Sequence, residues 1–71
     1  MQTLIRERKR ISKADHDIVI LEFWNYQFGY MYKAYTEKNG ERKPINKYCT
    51  LTAINEYLAS IGESAIQPYN L

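Results

Sequence analysis

The chain reads as an α+β domain, a small three-stranded antiparallel sheet packed by one C-terminal helix, with a fourth strand if residues 3–11 pair as well. Three observations predict this. Asn39-Gly40 lies between two aromatic-rich runs, Ile18-Val-Ile-Leu-Glu-Phe-Trp24 is rich in β-branched and aromatic residues, and Leu51, Ile54, Leu58 and Ile61 form an apolar stripe at helical spacing. The 71 residues suffice for one domain: a basic N-terminal segment over 1–17, a βββα core over 18–61 and a tail over 62–71.

The run over 18–24 has the composition of a largely buried strand, and Asn25 and Gly29 mark a hairpin leading to the strand that starts at Tyr30. At Asn39-Gly40 a two-residue loop needs positive φ at both positions, which these residues accept at least steric cost. That turn places Lys38 opposite Glu41 and Glu37 opposite Arg42, pairs of opposite charge contributing roughly 0.2–1 kcal/mol each. Continued, the same register sets Tyr35 against Pro44, Tyr32 against Lys47 and Met31 against Tyr48. Pro44 cannot donate to a ladder, which assigns its strand to an edge or delays pairing until Ile45. Thr50 is the expected N-cap and Gly62 the expected C′ residue of a helix of about eleven residues. Ala53 at the third helical position leaves the capping box incomplete. Residues 3–11 suit a fourth strand, a short helix or a mobile arm, with Ser12 to Asp17 as a connecting loop.

Alternation gives the sheet two faces. If the helix covers Val19, Leu21, Phe23, Met31, Tyr35 and Tyr48, the opposite face displays Trp24, Tyr30, Tyr32, Thr36, Lys43 and Lys47. The reverse assignment exposes Lys33, Tyr35, Arg42 and Asn46. The ten aromatic residues can be core, or an exposed surface that includes a homodimer face.

The net charge of +2 is unevenly spread: residues 1–13 carry +4, leaving −2 for the remainder, and Lys33 to Lys47 carry +3. Such separation suits capture of a polyanion, while a solvated arm and an ordinary charged hairpin explain the same residues. On the nucleic-acid reading, Arg6, Arg8, Lys9 and Arg10 supply electrostatic capture. Trp24, Tyr30, Tyr32, Thr36, Arg42, Lys43 and Lys47 then supply sheet contacts, with cations on phosphates and rings on bases.

Residues 30–58 resemble the AP2-like, arm-binding N-terminal domain of mobile-element tyrosine recombinases. The likeness lies in the aromatic strand, the Lys38-Asn-Gly-Glu-Arg-Lys43 hairpin, and Tyr48, Thr50, Tyr57 and Leu58 around the helix. It covers residues 18–61 and implies a sheet that reads DNA through its exposed face. Ala53-Ile54 departs from the Glu-Ala frequent in that family. No recombinase catalytic domain accompanies the motif, so the expectation is a free-standing DNA-binding or accessory protein.

Two other classes compete. A protein-binding inhibitor or adaptor of the phage or mobile-element type would use the same aromatics as anchors, for instance against a host complex that handles nucleic acid. A structural homo-oligomer follows from an open strand edge and the aromatic excess.

Catalysis finds little support. Adjacent side chains in Asp15-His16-Asp17 diverge, with no second His or Cys cluster to complete a metal site. His16 with Cys49 lacks an orienting third group. Gly29, Gly40 and Gly62 each have a turn or cap role, which leaves no glycine-rich phosphate loop. The expectation is a non-enzyme without cofactor or metal. The lone Cys49, the lack of a long apolar run and the lack of a signal-like N-terminus set a cytoplasmic, non-membrane expectation.

Overall fold

The computed structural model describes residues 2–68. It contains β1 (Gln2–Ser12), β2 (Asp17–Asn25), β3 (Gly29–Lys38), β4 (Glu41–Pro44) and α1 (Leu51–Ser60). The strands form one antiparallel sheet in the order β1-β2-β3-β4, so the sheet has four strands and not three.

Of the three conformations open to residues 3–11, the strand is adopted, against β2. Every residue of β2 from Ile18 to Phe23 is buried, and without β1 this strand would present a bare edge. Five consecutive charged residues, Arg6 to Arg10, hide the strand from a hydrophobicity pattern, because their cations meet carboxylates on β1, β2 and β3 and after the helix. Register shifts between Leu4 and Arg6 and between Glu7 and Lys9 break the alternation further.

The helix covers the face opposite to the first assignment. Its core comprises Ile11, Ile18, Ile20, Tyr32, Ala34, Ile54, Leu58 and Ile66, with Cys49, Leu51, Tyr57 and Ile61 packed at the margin. Two features direct it there. Cys49 exchanges both backbone hydrogen bonds with Tyr32, each 2.8 Å, immediately before the helix, and so delivers the chain to the Tyr32 face. Ala34, fully buried, has no bulk to hold the helix off. Tyr32 is therefore 2% exposed and is not displayed for a ligand.

Val19, Leu21 and Phe23 are buried on the other face without a helix, packed with Tyr35. Tyr48 stands edge-on to Phe23, with ring centroids 5.0 Å apart. The Lys33 ammonium lies 4.5 Å from the Tyr48 ring centroid and 5.6 Å from that of Tyr35, with its stem along the same surface. Burial first, then the neighbouring Tyr48, pushes the Tyr35 phenol up.

The Asn39-Gly40 turn has positive φ at both positions, 54° and 79°, and pairs Lys38 with Glu41, Glu37 with Arg42 and Tyr35 with Pro44 as expected. Glu37 and Arg42 form an ion pair at 2.7 Å, whereas Lys38 lies nearest Asp15, at 3.9 Å. Beyond Pro44 the register slips by two, so Tyr32 meets Cys49 instead of Lys47. Asn46 causes the slip: its side-chain oxygen accepts the Ala34 amide at 2.9 Å, taking the place of a backbone carbonyl. A slip of two preserves alternation and leaves Tyr48 on the Phe23 face.

Thr50 caps the helix by accepting the Ala53 amide at 3.2 Å, and Gly62, at φ 77°, follows its C-terminus. The segment after the helix folds back. Asn55 accepts the Ile66 amide at 2.8 Å and donates to the Ile66 carbonyl at 3.1 Å, seating Ile66 in the core.

Candidate functional site

Antiparallel pairing puts the β1–β2 loop and the β3–β4 turn at one end of the sheet, since Asp17 pairs with Glu37. The start of β1 and the β2–β3 turn share the other end, where Gln2, Asn25 and Gly29 align. One end is charged and the other aromatic.

At the charged end, Arg10 contacts Glu7, Asp17 and Glu37 at 2.8, 2.8 and 2.7 Å, and Arg42 completes the group through Glu37. Hydrogen bonds from Arg10 and then Arg42 hold the Glu37 carboxyl below its ordinary value, and the three carboxylates raise the Arg10 guanidinium well above its own. Nearby, His16 and Lys38 draw the Asp15 carboxyl down, the His16 hydrogen bond being the larger cause. Asp15, His16, Thr36, Lys38, Asn39, Glu41 and Lys43 line an open groove in which cations and carboxylates alternate. Thr36 is half-buried, and Lys43 is exposed, with Glu41 at 3.9 Å.

Midway along the sheet, Glu22 is completely buried. Arg8 and the Tyr32 hydroxyl both donate to its Oε2, the latter at 2.6 Å. Arg6 approaches Oε1 at 3.1 Å without the alignment of a hydrogen bond. Burial first, then this bond, pushes the Tyr32 phenol up to about 12, so it stays a donor at any ordinary pH. Arg8 also donates to the Gln67 carbonyl at 2.6 Å, and Lys9 reaches Ser64 at 3.0 Å and Glu63 at 3.7 Å. The four cations expected to capture a polyanion thus tie β1 to β2, β3 and the C-terminal segment.

The aromatic end is built on Asn25, whose buried side-chain oxygen accepts the amides of Gln27 and Phe28 at 2.8 and 3.0 Å. Gly29, at φ 81°, closes the turn. This anchoring holds Tyr26 80% and Phe28 68% exposed on a short, hydrogen-bonded loop. Trp24 and Tyr30 pair edge-to-face behind it, centroids 5.0 Å apart, and both remain about two-fifths exposed, as does Ile5, with Leu4 more so. Residues 2–5 and 23–32 contain no Asp, Glu, Lys or Arg.

Of the expected contact residues, only Trp24 and Tyr30 lie at this end; Thr36, Arg42 and Lys43 lie at the other, and Lys47 is exposed beyond β4. Tyr26 and Phe28 were not among the expected contacts, although their position within a three-residue turn denies them a core. Cys49 accepts from Asn46 at 3.5 Å and faces the core, and burial pushes its thiol up. His16 is engaged with Asp15 at 2.6 Å, so the structure does not assemble the two as a nucleophile and base. Among the described residues no group of three or more His, Cys, Asp or Glu could hold a metal, and no helix is long and apolar enough to cross a membrane.

No protein-family model matches this chain, and neither a curated protein nor a solved structure matches it significantly.

Proposed function

We propose that this chain is a small non-enzymatic binding module that recognises protein through its aromatic end. The carrying observation is the set of rings at Trp24, Tyr26, Phe28 and Tyr30, held exposed by the Asn25 turn in a stretch without charge. Large, rigid aromatics dominate the energetic centres of protein interfaces, and charged residues are depleted there. A ring fixed in advance on a short turn also loses little conformational freedom on binding.

The nucleic-acid reading, including the DNA-reading sheet implied by the recombinase-domain resemblance, asks for cations able to neutralise phosphates. Arg8, Lys9, Arg10 and Arg42 already face carboxylates of their own chain, and binding a phosphate would require breaking those pairs. Arg10 and Arg42 are exposed but ion-paired; Lys43 and Lys47 are exposed too, and Glu41 sits beside Lys43.

The test is fluorescence anisotropy of labelled duplex and single-stranded DNA across a salt series, run on the wild type, on Lys43→Ala/Lys47→Ala and on Tyr26→Ser/Phe28→Ser. The expected result is no binding of roughly micromolar strength near physiological salt in any of them. Such binding in the wild type, with a salt slope that the lysine pair flattens, would reverse the assignment.

A further inference from the structure

The aromatic end presents Leu4, Ile5, Trp24, Tyr26, Phe28 and Tyr30 together at the last rungs of β1, β2 and β3 and the turn joining two of them. A fully exposed aromatic side chain offers 150–250 Å², so at the observed exposures the six present on the order of 600 Å² of apolar surface. That is at the upper limit of what a soluble monomer usually leaves open.

Two properties define the partner. A surface that meets its own copy about a two-fold axis must be self-complementary, and a charge close to the axis would face its own like. Residues 2–5 and 23–32 carry no charge, whereas the opposite end of the sheet carries Arg10, Asp17, Glu37, Lys38, Glu41, Arg42 and Lys43. The area is of the right order: two copies joined here would remove up to about 1,200 Å², the lower end of the range for stable specific interfaces. The sheet edges are poorer sites. β1 is irregular at two register shifts, and β4 has four residues ending at Pro44.

We infer that the partner of the aromatic end is a second copy of this chain, forming an end-to-end two-fold dimer in which Tyr26 and Phe28 of each copy pack against the rings of the other. This inference rests on the reading of that end as a protein-binding surface. A ten-residue strand spans about 33 Å, so the 36 Å dimension runs along the strands and the dimer is a rod with a charged end at each tip.

Light scattering after size exclusion, small-angle scattering and the emission of Trp24, the only tryptophan, test it on the full chain. The dimer mass should appear at micromolar protein. From a monomer radius of gyration of 12.0 Å and a 36 Å length, an end-to-end pair should give roughly 22 Å, against about 14 Å for a compact body of twice the chain length. Trp24 emission should shift to the red on dilution. Tyr26→Ser/Phe28→Ser should dissociate at least about 30-fold more readily while keeping the wild-type circular dichroism, and should melt like the wild type at dilutions where both are monomeric.

A dimer with a radius near 14 Å, or one that the double variant leaves intact, places the interface elsewhere and overturns the inference. A wild type that stays monomeric to about 100 µM overturns it as well. The underlying reading would survive that last result only if a different protein bound the wild type and not the double variant.

Discussion

The two ends of this sheet are held by different forces and expose different chemistry. At one end Arg10 collects Glu7, Asp17 and Glu37, and charges answer charges within the chain. At the other, Asn25 anchors a turn whose rings have no such partners and whose residues carry no charge. An end whose charges are matched internally is satisfied in water as a monomer, whereas an end of exposed rings is stabilised by meeting another surface. The comparison teaches where binding belongs: the residues that a net-charge argument selects are largely committed to the fold.

Glu22 separates the two ends, and its loss should have the largest effect. Glu22→Ala removes a buried carboxylate from Arg6, Arg8 and the Tyr32 hydroxyl, leaving the partly buried Arg8 guanidinium without its counter-charge at a cost of about 3 kcal/mol. In a domain this small that is a large share of the total stability. Urea unfolding would show it as a lower midpoint, and a change below about 1 kcal/mol would mean the pairs behave like exposed ones.

A smaller effect should separate the ends directly. Asn25→Ala strips the acceptor from the Gln27 and Phe28 amides, which water can partly replace, so a cost of about 1 kcal/mol is expected. Hydrogen exchange should speed up at those two amides and leave the Asp17–Glu37 rungs at wild-type protection. Equal acceleration at both ends would show that they do not loosen independently.

At the charged end, Arg10→Ala should lower the melting temperature at low ionic strength and converge on the wild type near 1 M salt, where screening reaches about 3 Å. A gap that persists at high salt would assign Arg10 a packing role over Val19 instead. The mildest change is with acid. The folded Glu37 carboxyl titrates below its ordinary value of 4.5, so its contribution is complete above that pH and disappears as pH falls through the lower folded value. Melts between pH 6 and 3 should lose stability only in the acid part, and Glu37→Gln should flatten that loss.

Much of the fold was legible because local chemistry decides it. Asn39-Gly40 set the β3–β4 register through Pro44, Thr50 and Gly62 bounded the helix, and 18–24 formed the buried strand. The first strand was less legible, since Arg6 to Arg10 give no alternation and their partners lie on other strands and after the helix. Ile66 gave no signal either, because its burial depends on Asn55, eleven residues earlier. Of the candidate contacts, Trp24, Tyr30 and Tyr32 share one face by alternation, and it is the face the helix covers: Tyr32 is buried there, while Trp24 and Tyr30 stay part-exposed at the last rungs, outside the helix core.

By itself, then, the order of residues determined the turns, the caps, the helix stripe and the charge-free stretch at 23–32, each of which depends on φ preferences or composition within a few positions. Only the tertiary structure decided which face the helix covers, that residues 2–12 complete the sheet, and that all four arginines pair with carboxylates of their own chain. Those outcomes depend on groups distant in sequence: Cys49 bridging Tyr32 ahead of the helix, Ala34 making room for it, and Glu22 drawing in Arg8 from a neighbouring strand. Such pairings exist only once the chain is folded, and no pattern along the sequence carries them.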